Sequence, residues 1–396
     1  MDKGTIIYIG GFELPDRNAA AQRVIGNAKL FNSLGYDVKF IGLTKIDSEV
    51  AKKLRFYNFD SYSQKYPENP LSWLRYITAV KYYKKIINSS TNVKAVVGYN
   101  LPSISFLMIN QFCKRRDIEV YSDCTEWYVT TKERNIFKKI IKSFDVKLRM
   151  KSVHKSINGI ITISTFLTNY YKNVKGLKIT QLPPLVDLED EKWKQRDLYA
   201  EKNSEVVKFV YAGSPALSKK VNGKDRIDLI VNSFYRLSKR INSFELKIIG
   251  ISKNDYLAIY PESADILSEL ESKIKFLGRV PHNDALTYLK NADFSIFLRD
   301  KSLITEAGFP TKFVESISCG IPVLTNPSSN LSDYLKEGEN GYWLDTNNID
   351  NITKQIENVL GMPKDSIALM KSKTLQSRLF HYENFQYNMN KFLIRK

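Results

Sequence analysis

Residues 306–324 read Glu306-Ala-Gly308-Phe309-Pro310-Thr311-Lys312-Phe-Val-Glu315-Ser-Ile-Ser-Cys319-Gly320-Ile-Pro322-Val-Leu324. Gly308 and Pro310 mark a turn, and from about Thr311 to Cys319 the apolar residues recur at helical spacing. Gly320 stops that helix, and a short buried strand follows Pro322. Turn, helix and strand in this order form one repeat of an α/β layer fold. The unpaired N–H groups at the start of such a helix suit a pyrophosphate. Glu315, one turn inside, can accept two hydrogen bonds from a vicinal diol such as ribose. Lys312 stands in the same turn, and Arg299-Asp300 closes the strand before it. The plain alternative is a Gly-Phe-Pro turn carrying a surface Lys–Glu pair.

The alternation extends in both directions. Short β-branched or aromatic runs, each followed by a helical pattern, predict strands near 5–9, 38–41, 95–97, 118–121 and 160–163, and again near 208–211, 245–249, 275–277, 294–297 and 323–324. Between the two sets lie Gln181-Leu-Pro-Pro-Leu-Val-Asp187 and a polar, charged stretch over 189–205. A boundary near 190 follows, with an α/β domain over 1–190 and another over 191–375. Two domains also suit 396 residues, and a 43% hydrophobic, 26% charged composition without repeats is that of a globular chain.

The opening Met1-Asp-Lys-Gly-Thr-Ile-Ile-Tyr-Ile-Gly10-Gly11-Phe12 has too short an apolar run for a secretory signal, and no stretch is apolar for long enough to cross a bilayer. Cys113, Cys124 and Cys319 have neither metal-ligand spacing nor a disulfide framework, so a reducing cytoplasm is expected. The net charge of +18 points to an anionic partner: phosphorylated substrate, anionic membrane or nucleic acid. Nine Lys or Arg against two acids lie in 132–155, where Phe137, Ile140, Ile141, Phe144 and Leu148 recur at helical spacing. That segment reads as an amphipathic helix or helix pair able to lie on anionic lipid, or as an ordinary domain helix with a solvated basic face. No helix-turn-helix, zinc-finger or RNA-binding pattern accompanies the charge, so no nucleic acid partner is expected.

Three further places can carry chemistry. Gly10-Gly11, after the first strand, lets the backbone approach a ligand, and Arg17 and Asn18 in the same loop can meet phosphate or sugar hydroxyls; a plain tight turn is the other reading. Asp123 and Glu126, with Trp127 and Tyr128, end the fourth strand at the sheet edge where open α/β folds bind ligands. They can orient sugar hydroxyls or act as acid or base; otherwise Asp123 is a helix cap and Trp127 core. In the second half, Gly213-Ser214 closes a strand and leads to Lys219, Lys220, Lys224 and Asp225; at least one of these lysines should neutralise a diphosphate.

Gly308-Phe-Pro-x-Lys-x-x-Glu315 followed by Ser-Cys-Gly-x-Pro-Val resembles the donor-binding signature of family 4 glycosyltransferases. Gly10-Gly11, Ile163-Ser164 and Leu277-Gly-Arg-Val280 resemble further landmarks of that family, in the same order along nearly the whole chain. The resemblance implies a GT-B fold: two facing Rossmann-like domains with a central cleft, acceptor on the first, donor on the second, and a C-terminal helix over 376–396 crossing back to the N-domain. It implies transfer of a sugar with retention from a nucleotide-diphosphate sugar, which is a co-substrate, with no metal or other cofactor. Carried over by position, Glu315 holds the ribose, the Gly308 to Thr311 amides with Lys220 or Lys224 hold the diphosphate, and Asp123 or the Gly10-Gly11 loop serves the reaction centre. The family's paired acids have seven residues between them, whereas Glu306 and Glu315 have eight, and Ala307 holds the usual position. Either the loop has shifted by a residue, or the first acid is missing and Lys312 serves in its place. The scattered His154, His282 and His381, and the lack of an Asp-x-Asp motif, agree on chemical grounds with metal-free transfer, and the basic stretch at 132–155 suits a glycan or polyprenyl-linked acceptor in surface-polysaccharide synthesis. A sugar-nucleotide epimerase or hydrolase of the same fold, and a non-catalytic basic binding protein, are the competing assignments.

Overall fold

The computed structural model describes residues 3–78, 80–127, 136–194, 206–215 and 224–394. The chain divides into two units, Met1–Val186 with Ala307–Phe309 and Tyr382–Lys396, and Asp187–Glu306 with Pro310–His381.

The first unit is built on eight strands: β1 (Thr5–Gly10), β2 (Asp37–Thr44), β3 (Lys53–Phe56), β4 (Phe59–Lys65), β5 (Val93–Tyr99), β6 (Glu119–Cys124), β7 (Gly159–Thr162) and β8 (Lys178–Gln181). Their order is β3-β4-β2-β1-β5-β6-β7-β8, parallel throughout except for antiparallel β3 against β4. Strand β1 is buried on both faces, with Ile6 and Tyr8 in one apolar cluster and Ile7 and Ile9 in another. That two-sided burial is why it reads as a continuous apolar run rather than an alternation. The helix Ala19–Ser33 covers the first face with Val24, Ala28 and Phe31; Val80–Ser89 and Ser103–Lys114 cover the second with Tyr83, Ile87, Phe106 and Ile109.

The chain's last segment completes this unit. Helix Gln386–Leu393 adds Met389, Phe392 and Leu393 to the cluster around Tyr8, with the Phe392 and Tyr121 ring centroids 4.8 Å apart. Gly159 leaves room for that ring, since a Cβ there would lie 2.9 Å from Phe392 Cε2.

The basic stretch is helical from Ile136 to Leu148, continues through a π-helical turn over Arg149–Val153 and ends at His154–Ser156. Its remaining positions, 132–135, lie outside the described residues. Its apolar stripe is only partly core, because Ile140 and Phe144 are each 61% exposed. Among the described residues no helix is long and apolar enough to cross a membrane.

The second unit has six parallel strands, β9 (Val207–Ala212), β10 (Phe244–Ile249), β11 (Ile274–Gly278), β12 (Phe294–Phe297), β13 (Val323–Thr325) and β14 (Gly341–Trp343), in the order β11-β10-β9-β12-β13-β14. Helix Ile227–Ser238 buries Ile230, Val231, Phe234 and Leu237, a 3.6-period face, and the Phe234 ring packs on Phe209 and Phe244. Ile349–Leu360 presents Ile352, Ile356 and Val359 in the same way.

Four strands lie outside the predicted set. In β4 the buried positions are Phe59, Ser61 and Ser63, so small hydroxyls stand where an apolar alternation is sought. Strand β3 is a four-residue edge piece, β8 has no fully buried residue, and β14 spans three residues. Cys113, Cys124 and Cys319 are free and buried, and burial pushes each thiol up to about 12.

Candidate functional site

In both sheets the chain winds one way from a central strand and then returns to wind the other, leaving a switch point between β1 and β5 and another between β9 and β12. Crevices at the carboxyl ends of such strands are where open α/β sheets bind ligands.

At the second switch point, Gly213 and Ser214 follow β9, Arg299 and Asp300 follow β12, and helix Thr311–Ser318 follows Pro310. The Lys312 side chain from that helix crosses over Gly213, where a Cβ would lie 1.9 Å from Lys312 Cε. Its Nζ reaches Asp225 Oδ2 at 2.7 Å and stands 5.4 Å from the Tyr211 ring centroid. The Tyr211 hydroxyl donates to the same carboxylate oxygen at 2.7 Å, and Arg299 Nε lies 3.9 Å from Asp225 Oδ1. Burial opposes the Asp225 charge, but Lys312, Tyr211 and Arg299 together hold its carboxyl below the ordinary range. Burial also pulls the Arg299 guanidinium down, against Asp225 and Glu306, which favour its charge. Asp225 Oδ1 and Arg299 Nη1 are buried without a hydrogen-bond partner.

Around this cluster, Asn326 clamps the ends of β12 and β13, taking the Arg299 N–H at 2.8 Å and donating to the Arg299 carbonyl at 2.9 Å. Asp300 accepts from Arg226 at 3.1 Å. Glu306 accepts the Ser329 N–H at 3.2 Å. Glu315 and His282 Nε2 are 3.3 Å apart, so the first residue of helix His282–Lys290 restrains the carboxylate proposed for ribose. Pro310 offers no capping side chain to the helix Thr311–Ser318. Thr311 is half-buried; Ser214 and Lys224 are exposed. Gly308 and Phe309 are buried and group with the first unit, while Lys219 and Lys220 lie outside the described residues.

At the first switch point Gly10 has φ +157°, and a Cβ there would lie 1.9 Å from the Tyr99 carbonyl oxygen, whereas Gly11 has nothing within 4 Å of that position. Asn18 caps helix Ala19–Ser33, accepting the Ala21 N–H at 2.9 Å. Arg17 pairs with both Glu49 oxygens at 2.8 Å, and that hydrogen bonding holds the Glu49 carboxyl at about 2. Both residues are thus engaged by the chain itself. Glu126 is exposed, beside a Trp127 ring packed on Phe166 and Tyr170.

Asp123 stands at the predicted sheet edge, but its side chain is 0% exposed. It accepts from Arg23 Nη2 at 2.6 Å, from Arg23 Nε at 2.9 and 3.0 Å, from the Tyr8 hydroxyl at 2.5 Å and from Asn27 at 3.2 Å. Arg23 also donates to the Leu182 carbonyl. With both oxygens occupied, the carboxylate is the anion of a buried pair tying Ala19–Ser33 to β1 and β6, which corrects its reading as an acid, base or helix cap. Among the described residues no three His, Cys, Asp or Glu side chains are grouped as metal ligands.

Residues 216–373 match the family model for glycosyl transferases group 1. The matched segment, which apart from Ala307–Phe309 lies within the second unit, is a glycosyl transferases group 1 domain. No curated protein sequence matches it. Its fold is that of solved glycosyltransferases: sucrose-phosphate synthase from Thermosynechococcus elongatus is similar at TM-score 0.71 and 14% identity, covering 98% of this chain and 97% of that one. HepE from Anabaena, solved with UDP and glucose, is similar at TM-score 0.64 and 11% identity over 98% and 99%. The lipopolysaccharide outer core galactosyltransferase WaaB, in its apo form, gives 0.61 and 16% over 98% and 99%. The fold of this chain is therefore GT-B, with two mainly parallel-sheet α/β units.

Sequence reasoning did not find Asp225 as the partner of Lys312, or His282 as the neighbour of Glu315. Both contacts join residues far apart in the chain, 87 and 33 positions, and no local period carries them.

Proposed function

We propose that this glycosyltransferase moves a sugar from a nucleoside-diphosphate sugar, with UDP or GDP as carrier, to a glycan or polyprenyl-linked acceptor in surface-polysaccharide synthesis. The observation that carries the donor assignment is the convergence of Arg299 and Lys312 on Asp225, with Lys312 in the first turn of helix Thr311–Ser318, whose head has no side-chain cap, and Arg299 Nη1 buried and lacking a hydrogen-bond partner. Such donors, aimed at a diphosphate, stabilise the charge that grows on it as it departs. Glu315 then takes the ribose diol, and the first unit binds the acceptor, with Gly11 and Glu126 open to it.

The anomeric C–O bond breaks with its electron pair passing to the β-phosphate oxygen. The acceptor hydroxyl oxygen bonds to the anomeric carbon from the same face, and its proton passes to the departing phosphate. This front-face route retains configuration, and it needs no metal if Arg299, Lys312 and the helix head carry the leaving-group charge. The neighbour solved with UDP and glucose supports UDP as the first carrier to try.

A cytoplasmic site on the inner face of the membrane fits three free, buried thiols and a basic helix whose Ile140 and Phe144 are exposed. Leu71 and Leu74 on helix Pro70–Ile77 are also exposed, at 59% and 60%. Flotation with anionic vesicles tests this; binding indifferent to Phe144→Ser and Leu74→Ser excludes it.

Calorimetry with UDP and GDP, with and without EDTA, tests the donor reading. Binding of one nucleotide, unaffected by EDTA and weakened by Glu315→Ala in a folded protein, is the expected result. No binding of either overturns it. NMR of the product's anomeric signal tests retention.

A further inference from the structure

The cluster at the second switch point contains one group with no place in the donor scheme. Asp225 is an anion at the spot proposed to receive an anion, and it is 2% exposed at the side chain. A carboxylate there repels a diphosphate, so its presence requires another explanation. Its geometry supplies one.

Lys312 is a long, flexible cation that would otherwise extend into solvent. Here it is 17% exposed at the side chain, laid along the open lane above Gly213 and fixed at its tip by Asp225. An ammonium has three N–H donors; the contact with Asp225 Oδ2 uses one. Arg299 is buried with Asp225 as its leading favourable charge, then Glu306. Without Asp225, two buried or half-buried cations would face each other with little compensation. The Tyr211 hydroxyl fixes the carboxylate's own orientation from beneath.

We propose that Asp225 is a positioning residue of the donor site: it sets Lys312 and Arg299 as a fixed pair of phosphate donors and acts on the nucleotide only through them. This rests on the donor reading above. Because it acts through phosphate-directed cations, its removal must be felt by a nucleoside diphosphate and not by the nucleoside.

The test compares UDP with uridine, and GDP with guanosine, by calorimetry on the full chain. The variants are Asp225→Asn, Lys312→Met, the two together, Asp225→Glu and Gly213→Ala. Asp225→Asn keeps the volume and an acceptor oxygen, so it is the variant best able to fold. Gly213→Ala breaks the same contact while leaving Asp225 intact, since only the flexible end of Lys312 must move.

Wild type is expected to prefer the diphosphate. Asp225→Asn should weaken diphosphate binding about tenfold, the scale of one charge-assisted hydrogen bond, and leave the nucleoside unchanged. The double variant should be no weaker than Lys312→Met alone. Asp225→Glu should restore part of the loss, and Gly213→Ala should reproduce it.

Equal losses for nucleoside and diphosphate would assign Asp225 a merely structural role and overturn the proposal. So would losses that multiply in the double variant, or an unchanged diphosphate preference in Asp225→Asn. If wild type itself binds neither diphosphate more tightly than its nucleoside, the donor reading fails first, and the two failures are thereby told apart.

Discussion

Asp123→Asn separates two accounts of the same residue. At the sheet edge it has the position of a catalytic carboxylate, but its side chain is 0% exposed and that of Arg23 only 4%. The substitution keeps the shape and removes the charge, leaving the Arg23 guanidinium buried without a counter-ion. Breaking one side of a buried pair costs about 3–5 kcal/mol. At about 2–4 °C per kcal/mol for a unit of this size, the first unit's melting point should fall by roughly 6–20 °C. Circular dichroism melts of the purified protein read this directly, alongside kcat for sugar transfer well below the melt. Arg23→Met with Asp123→Leu should recover most of the loss, because apolar residues of similar volume replace a buried pair at little cost. A melting point within a degree of wild type, with kcat down a hundredfold or more, would refute the reasoning and return Asp123 to the reaction centre.

Three other perturbations follow from the same structure. His154 is buried between Ser122 at 3.0 Å and Tyr171 at 2.8 Å, and burial holds its pKa well below the ordinary value. The unfolded chain therefore binds the extra proton first, so stability should be full above about pH 6.5 and fall by up to about 1.4 kcal/mol per unit below it, until the folded pKa is reached. Denaturant titrations of His154→Gln should show a flatter acid limb. Phe392→Ala should destabilise the first unit by about 3–5 kcal/mol, read from the shift in denaturant midpoint, because it empties the site above Gly159. Gly10→Ala should yield misfolded protein, since the clash is with the Tyr99 backbone, while Gly11→Ala should fold and melt like wild type.

The readable parts of this fold were those whose physics is local. Strand β1 announces itself because burial on both faces demands an unbroken apolar run, β2, β9 and β12 because short runs of β-branched and aromatic residues survive a single polar interruption, and the helix after Pro310 because Gly308, Pro310 and Gly320 punctuate it. Strand β4 was illegible because Ser61 and Ser63 serve as its inward residues. The site divides in the same way. Lys312, Arg299 and Glu315 stand out as residue types in a recognisable setting. Their partners do not: Asp225 reads as one more polar loop residue, and nothing near Asp123 in sequence announces Arg23, 100 positions away. Arg17 likewise gives no hint of Glu49, 32 positions on, which pairs with it from the short turn Asp47–Glu49 that follows β2.

The three cysteines have a practical consequence for studying this enzyme. Cys113, Cys124 and Cys319 are all buried with thiols held protonated at neutral pH, so none offers the thiolate that maleimide dyes require. The native sequence is already a silent background for labelling. A single cysteine placed at exposed Phe144 or Leu74 would carry a polarity-sensitive fluorophore alone, and its emission would report, in real time, whether that face leaves water when vesicles are added.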